Sequence, residues 1–291
     1  MEYGDKHILV LGAGASGIGA SWVLAQVGAH VVLNDYKPVT LPADEEKRLV
    51  SAGVDIITGR QDESLLDGVD RIVISPGISL DIPIVKAAQA RGIDVVSEVE
   101  VAYELSKSPI VAVTGTNGKT TTTTLLTKVL EGTGKPVRVG GNIGDSLSEV
   151  AYSMPADGFL VAELSSYQLE TIKHFRPIGA IMLNITPDHL ARHKTMENYI
   201  AAKERIFENQ LSTDFMVLNI DDPIVADMKH CVPSHILEIS QHQVVSNGAY
   251  YDKGQCYVTK NGMATPVIGS ADIHIPGSHN IENILTVIAL T

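Results

Sequence analysis

Residues 115–120 read Gly-Thr-Asn-Gly-Lys-Thr and lie between an apolar run, Ile110-Val-Ala-Val113, and a stretch with helical character that begins at Thr120. A glycine-rich turn between a strand and a helix can aim several backbone N–H groups at one anion, and the helix dipole adds positive potential there. A lysine in such a turn reaches the β- and γ-phosphates of a nucleotide. The hydroxyl that follows it can hold the divalent cation that travels with them. Lys119 and Thr120 are therefore candidates for phosphate and metal binding, with Gly115, Thr116, Asn117, Gly118 and Thr121 around them. The loop departs from G-x-x-x-x-G-K-[ST], because Val113 stands where that pattern has its first glycine. A shorter or differently bent loop is expected. The bland alternative is a glycine-rich turn with a solvated lysine, and the agreement of strand, loop, Lys-Thr and helix weighs against it.

A second loop, Gly12-Ala-Gly-Ala-Ser-Gly17, matches G-x-G-x-x-G, again between strand and helix, and Asp35 ends the next apolar run. Such glycines permit a tight turn and close approach of backbone to a diphosphate. A strand–helix turn with no ligand is the alternative, and Asp35 contacts a ribose or a base or merely ends its strand. Glu163 closes the run Phe159-Leu-Val-Ala, His189 lies in Asn-Ile-Thr-Pro-Asp-His-Leu, and Lys203 lies in a helical stretch, MENYIAAKERIFE. A carboxylate at the C-terminal end of a strand beside a phosphate loop is well placed for Mg²⁺. Taken singly, these three have ordinary readings: a surface carboxylate, a loop histidine, a helix lysine facing water. Two phosphate loops imply two phosphorylated ligands, a triphosphate and a nucleotide-linked substrate.

The elements that must position these residues alternate. Strands are expected at 7–11, 30–34, 55–58, 71–75 and 94–97, and helices at 16–27, 44–52, 83–91 and 98–105. Apolar strands in such alternation are what a parallel sheet covered on both faces produces. The polar cluster Ser106-Lys-Ser-Pro109 is a plausible linker. The expected domains are a Rossmann-like unit, 1–107, and a P-loop-type central unit, 108–291. In the second, strands are expected at 110–113, 137–139, 158–162, 180–183 and 215–218, and helices at 120–131 and 197–208. From Ser246 the texture changes to short apolar segments separated by Asp-Lys-Gly and Lys-Asn-Gly, turn signals for a small antiparallel patch. The fold class is α/β throughout. A helix opens near Asn280 with no sequel, which is read as a sign of truncation.

With 44% apolar residues over 291, both units can bury proper cores. A net charge of −12 argues against nucleic acid, which needs phosphate-neutralising cations. No apolar run is long enough to span a membrane, no signal peptide is visible, and two cysteines make no disulfide framework, so a cytoplasmic location and no membrane partner are expected.

Together the motifs resemble the Mur ligase family over the whole chain. GTNGKTT, Asn142 in GGNIG, NITPDHL and the AAKERIFEN helix carry the resemblance. Within the family, Glu163-Leu-Ser-Ser-Tyr-Gln-Leu-Glu170 and Ser75-Pro-Gly-Ile78 look most like the member that adds D-glutamate. The resemblance implies an ATP-dependent ligase of peptidoglycan synthesis that joins D-glutamate to UDP-N-acetylmuramoyl-L-alanine through an acyl phosphate. It implies that Gly14, Ala15, Ser16 and Gly17 hold the UDP part, with Asp35, Tyr36 and Lys37 near the uracil and Gly77 in the same site. It places Asn142 and Ser165 at the substrate's acyl region and Asn280 and Asn283 near the adenine of ATP. Mg²⁺ would be held by Thr120, Glu163 and His189, and a carbamate on Lys203 would help to hold a second Mg²⁺. Lys119, His189 and Lys203 are the catalytic residues so implied. One departure is Ala191, where the family often has aspartate after the Asp-His-Leu triplet. A monomer is expected, lacking the family's third, C-terminal domain, and so binding its ligands without ligating. An NAD-dependent oxidoreductase would leave the Lys119 loop, Glu163 and His189 without a purpose. A nucleotide-sensing module and a sister ligase for another amino acid stand as rival readings.

Overall fold

The computed structural model describes residues 3–275 and 277–291. The chain forms two compact units. The first comprises Met1–Lys107, Gly144–Met154 and Tyr167–Phe175; the second comprises Ser108–Ile143, Pro155–Ser166 and Arg176–Thr291. Two segments that a single division at 107/108 would give to the second unit thus pack with the first.

In the first unit the elements run β1 (His7–Leu11), α1 (Ala15–Gln26), β2 (His30–Asp35), α2 (Ala43–Ser51), β3 (Asp55–Thr58), β4 (Arg71–Ile74), α3 (Pro83–Ala90), β5 (Asp94–Ser97) and α4 (Glu98–Leu105). The five strands form one parallel sheet in the order β3-β2-β1-β4-β5. Successive side chains of a strand point to opposite faces, and β1 shows the result. Ile8 and Val10 join the core built with Ala20, Leu24 and Leu33, while Leu9 and Leu11 join the core on the other face with Ile72, Ile84 and Val85. Both faces are dry, so β1 is apolar without alternation.

The second unit begins with β6 (Ile110–Thr114), α5 (Lys119–Glu131) and β7 (Val137–Gly141). After α6 (Leu147–Ser153), which belongs to the first unit, come β8 (Phe159–Glu163), α7 (Ser166–Leu169), β9 (Gly179–Met182), α8 (Leu190–His193), α9 (Met196–Glu204), β10 (Phe215–Asn219), α10 (Pro223–Asp227) and β11 (His235–Ser240). The chain closes with β12 (Gly248–Asp252), β13 (Gln255–Lys260), β14 (Met263–Gly269) and α11 (Ser278–Leu290). Nine strands make one sheet in the order β14-β13-β12-β11-β10-β9-β6-β8-β7. It is parallel from β7 to β12 and antiparallel across β12, β13 and β14. The antiparallel patch foreseen after Ser246 therefore extends the main sheet. Helices α5 and α11 pack over the sheet through Leu126, Leu285 and Val287, buried with Val113, Val161 and Ile181. Among the described residues no helix is long and apolar enough to cross a membrane.

Candidate functional site

In the second unit β6 lies between β9 and β8, and the connections leave it on both sides. The C-terminal end of such a strand is the switch point where open α/β sheets bind ligands. The loop Gly115–Gly118 sits there and leads into α5. Gly118, at the mouth of the helix, has φ +84°, and a Cβ on it would lie 2.6 Å from Asn283 Oδ1. Only glycine fits without strain.

The loop is strapped by the segment that follows β9. Asn117 N–H donates to Asn184 Oδ1 at 2.8 Å, Asn184 Nδ2 donates to Asn117 O at 3.1 Å, and Thr116 N–H donates to Asn184 O at 2.9 Å. Lys119 curls along the loop, its Nζ donating to Gly115 O at 2.9 Å and Thr116 O at 2.8 Å. Burial lowers its pKa, opposed by the charges of Glu163 and Asp188.

The Thr120 hydroxyl donates to Glu163 Oε2 at 2.9 Å, and the other oxygen, Oε1, accepts from Asn142 Nδ2 at 2.8 Å. The Asn142 N–H also binds Glu163 O at 2.8 Å. Two residues singled out from the sequence, Thr120 on α5 and Asn142 after β7, thus converge on the carboxylate of a third, Glu163 at the end of β8. Ser165 is half-buried two positions further on.

Lys203 overturns the picture of a lysine facing water. It is 1% exposed, and its Nζ donates to Gly115 O at 2.8 Å and Thr114 Oγ1 at 3.4 Å. The ammonium lies 4.9 Å from the centre of the Tyr199 ring. Burial pushes its pKa down to about 7. The Lys119 ammonium pushes the same way, and Asp188 opposes them.

His189 is exposed, with φ +53°; its Nε2 lies 3.4 Å from Asp188 Oδ2 and its ring 6.3 Å from that of Tyr199. Asn280 and Asn283 are buried at the start of α11. Asn283 Oδ1 accepts from the Thr122 hydroxyl at 3.0 Å and its Nδ2 donates to Asn280 Oδ1 at 3.0 Å, so the pair holds α11 to α5 just behind Gly118. Among the described residues, no group of three or more His, Cys, Asp or Glu side chains could hold a metal ion by itself.

Sequence reasoning missed four residues here. Asn184 straps the loop. Tyr199 places its hydroxyl 3.0 Å from Thr116 Oγ1, and Ser166 and His193 bond to each other at 2.9 Å. Asn184 and His193 stand within or just after the NITPDHL segment, yet nothing in their types marks these partners.

In the first unit the Gly12–Gly17 loop follows β1. Gly17 lies so close to the strand end that a Cβ would stand 1.8 Å from Gly12 O, which is why glycine is required. Asp35 braces the loop: Oδ2 accepts from Ala13 N–H at 3.0 Å and Oδ1 from Lys37 N–H at 2.9 Å. Gly14 and Ala15 are exposed and Ser16 half-buried, leaving the outer side of the turn open. Beside it a cleft of about 620 Å³ is lined by Asp35, Tyr36, Lys37, Gln61, Gly77, Ile78, Ser79 and the start of α3. Four residues chosen from the sequence therefore border one cavity at the C-terminal ends of β2 and β4. Tyr36 is 69% exposed, its ring free to meet a ligand.

The sequence and the fold have counterparts among known proteins. Residues 6–97 match the Mur ligase MurD-like N-terminal domain, and residues 113–291 match the Mur ligase middle domain. A UDP-N-acetylmuramoylalanine–D-glutamate ligase of Thermoanaerobacter sp. (strain X514) is 45% identical over 98% of this chain, and one of Halalkalibacterium halodurans is 42% identical over 98%. The chain spans 63% and 62% of the length of these two relatives. Among solved structures, the UDP-N-acetylmuramate:L-alanyl-gamma-D-glutamyl-meso-diaminopimelate ligase from Neisseria meningitides aligns with a TM-score of 0.65 at 21% identity, covering 98% of this chain and 93% of that one. A UDP-N-acetylmuramate-alanine ligase from Thermotoga maritima aligns with a TM-score of 0.53 at 23% identity, over 98% and 64%. These last two likenesses concern the fold. With each unit matched by its own family domain, the chain belongs to the Mur ligase family.

Proposed function

We propose that the protein is the ATP-dependent ligase that joins D-glutamate to UDP-N-acetylmuramoyl-L-alanine in peptidoglycan synthesis, a cytoplasmic step. The observation that carries the reading is the bond from Thr120 to Glu163 beside Lys119, at the switch point of a parallel sheet. The 45% identity to a protein named for this reaction supports the choice of substrates.

The Gly115–Thr121 loop takes the phosphates of ATP, and Lys119 exchanges its bonds to the loop carbonyls for phosphate oxygens. Asn280 and Asn283 border the adenine. The cleft at Asp35, Tyr36, Lys37 and Gly77 takes the uridine end of the other substrate, whose diphosphate meets Gly14 to Gly17. Asn142 and Ser165 flank its acyl end.

Mg²⁺ fits the donors present. A threonine hydroxyl and a carboxylate already share a hydrogen bond, and both are hard oxygen ligands. A set this small suits a cation that keeps waters and phosphate oxygens in its shell. Thr120 and Glu163 would hold it, with His189 turning in from its exposed position, and it would neutralise charge on the transferring phosphoryl group. Lys203 at a pKa near 7 carries a large fraction of free amine at neutral pH, the form that adds CO₂. The resulting carbamate is an anion beside Lys119, able to hold a second Mg²⁺.

In the reaction, an oxygen of the alanyl carboxylate attacks the γ-phosphorus and the bond to the β,γ-bridging oxygen breaks, releasing ADP. The free amine of D-glutamate attacks the acyl carbon, loses a proton, and phosphate departs. Lys119 and the loop N–H groups stabilise charge on the phosphoryl oxygens, which is the larger part of such catalysis.

Lys119→Ala tests the reading. In the full-length enzyme it should cost more than about 3 kcal/mol of transition-state stabilisation in ligase turnover, while leaving UDP binding unchanged by calorimetry. Near-normal turnover would refute the assignment of the loop. In thermal-shift measurements UDP and ATP with Mg²⁺ should stabilise the chain and NAD should not.

A further inference from the structure

Ser166 and His193 come from separate turns and meet in the interior of the second unit. Ser166 Oγ lies 2.9 Å from His193 Nε2, and the two residues are 1% and 6% exposed. Ser166 follows Glu163 by three residues at the exit of β8. His193 closes α8, whose opposite end carries His189.

That turn is a weak element by itself. It has four residues and is bounded by two left-handed positions, His189 at φ +53° and Lys194 at φ +72°. A single helical turn fixes more dihedrals than its bonds repay. Its orientation therefore comes from anchors, and His193 carries several of them. The ring meets Ser166, the backbone carbonyl accepts from Asn198 Nδ2 at 2.8 Å, and the ring lies 5.3 Å from that of Tyr199. The Tyr199 hydroxyl in turn lies 3.0 Å from Thr116 Oγ1, in the phosphate loop.

We propose that His193 is a positioning residue: through its bond to Ser166 it fixes the reach of His189 toward Glu163 and Thr120, and so sets the divalent-cation affinity of the nucleotide site. The proposal rests on the ligase reading, in which those three residues hold Mg²⁺. The Ser166–His193 bond joins the two segments that carry Glu163 and His189, and the His193 N–H donates to His189 O at 3.1 Å. Groups that orient metal ligands in this way change metal affinity when removed, even where the ligands themselves are intact.

The test is calorimetric titration of ADP into the 291-residue chain over a series of Mg²⁺ concentrations, beginning without Mg²⁺. His193→Phe and Ser166→Ala should each raise the Mg²⁺ needed for half-maximal ADP affinity by roughly 10-fold or more. ADP affinity without Mg²⁺ should stay at the wild-type value. The double variant should be no worse than either single one, because both remove the same bond. His193→Gln, whose side-chain amide can still meet the Ser166 hydroxyl, should restore Mg²⁺ dependence to within about twofold of wild type. Should the phenylalanine fail to fold, Ser166→Ala carries the test alone. An unchanged Mg²⁺ requirement in Ser166→Ala would overturn the proposal. So would equal loss of ADP affinity with and without Mg²⁺, which marks a purely structural role. A wild-type chain whose ADP affinity ignores Mg²⁺ would sink the ligase reading, and this proposal with it.

Discussion

Replacing Lys203 by methionine keeps the length of the side chain and removes its charge, and the consequence depends on pH. In the folded protein the amine has a pKa of about 7, against 10.5 for an ordinary lysine. Below about pH 7 folded and unfolded chains both carry the ammonium, and burying it imposes its full cost. Between the two values the unfolded chain holds one more proton than the folded one, so stability rises with pH at about 1.4 kcal/mol per pH unit. Lys203 is 1% exposed, so solvent screening does little to blunt this. Over two pH units, from about pH 7.5 to about pH 9.5, the wild type should therefore gain about 2–3 kcal/mol on Lys203→Met. Urea denaturation of both proteins in CO₂-free buffer across that range measures the difference directly, since all other titrating groups are shared. Added bicarbonate should stabilise the wild type further and leave Lys203→Met unchanged. Parallel stability curves would refute the reasoning. They would mean that the bonds to Gly115 O and Thr114 Oγ1 keep the ammonium charged, and that no free amine is available for CO₂.

Two shorter predictions concern the frame around the sites. Gly118→Ala should lower stability by about 2 kcal/mol, combining a left-handed alanine with a Cβ pressed on Asn283 Oδ1; an unchanged melting temperature would contradict the 2.6 Å approach. Glu98 lies buried on α4, where Oε1 accepts from Ser148 N–H at 2.6 Å and the Ser146 hydroxyl at 2.7 Å. Burial raises its carboxyl pKa and the nearby Glu149 adds to this, against the bonds from Ser146 and Ser148. The folded state then holds the proton more tightly than the unfolded one. The stability this confers is complete below the ordinary carboxylate value and is lost as pH rises through the folded value. Glu98→Gln, which keeps an acceptor without a charge, should gain about 1 kcal/mol on the wild type at alkaline pH. Denaturation curves whose difference does not vary with pH would count against it.

What the sequence discloses and what it withholds divide along a physical line. Strand β1 and helix α4 are legible to the residue, because an apolar run or a periodic stretch reports a local preference. The two glycine loops are legible for a related reason: the proposed close approach of backbone to an anion demands glycine, its charge demands lysine, and a divalent cation demands carboxylate at the ends of strands. The members of the frame carry no such demand. Glu98 and Glu100 resemble the acidic first turn of any exposed helix, yet both are buried. Glu100 accepts the N–H groups of Lys173, His174 and Phe175, on a segment far along the chain. The placement of 144–154 and 167–175 in the first unit follows from these long-range partners, which no local window contains. The short helices α6, α7, α8 and α10 escaped because they are too short to show a period.

The two histidines of the α8 turn make the division sharpest. His189 and His193 are of one residue type and stand one helical turn apart, the first inside the NITPDHL segment and the second just after it. One is exposed beside Asp188, and the other is 6% exposed against Ser166 and Tyr199. A motif can nominate a ligand because the chemistry restricts residue type at that position. It cannot nominate the group that aims the ligand, because a hydroxyl, an amide or an aromatic edge from almost any element will serve. In the proposed site the aim of His189 is a tertiary property, set by the geometry of Ser166 and His193, and on that proposal a family member lacking this pair holds the same turn by some other contact.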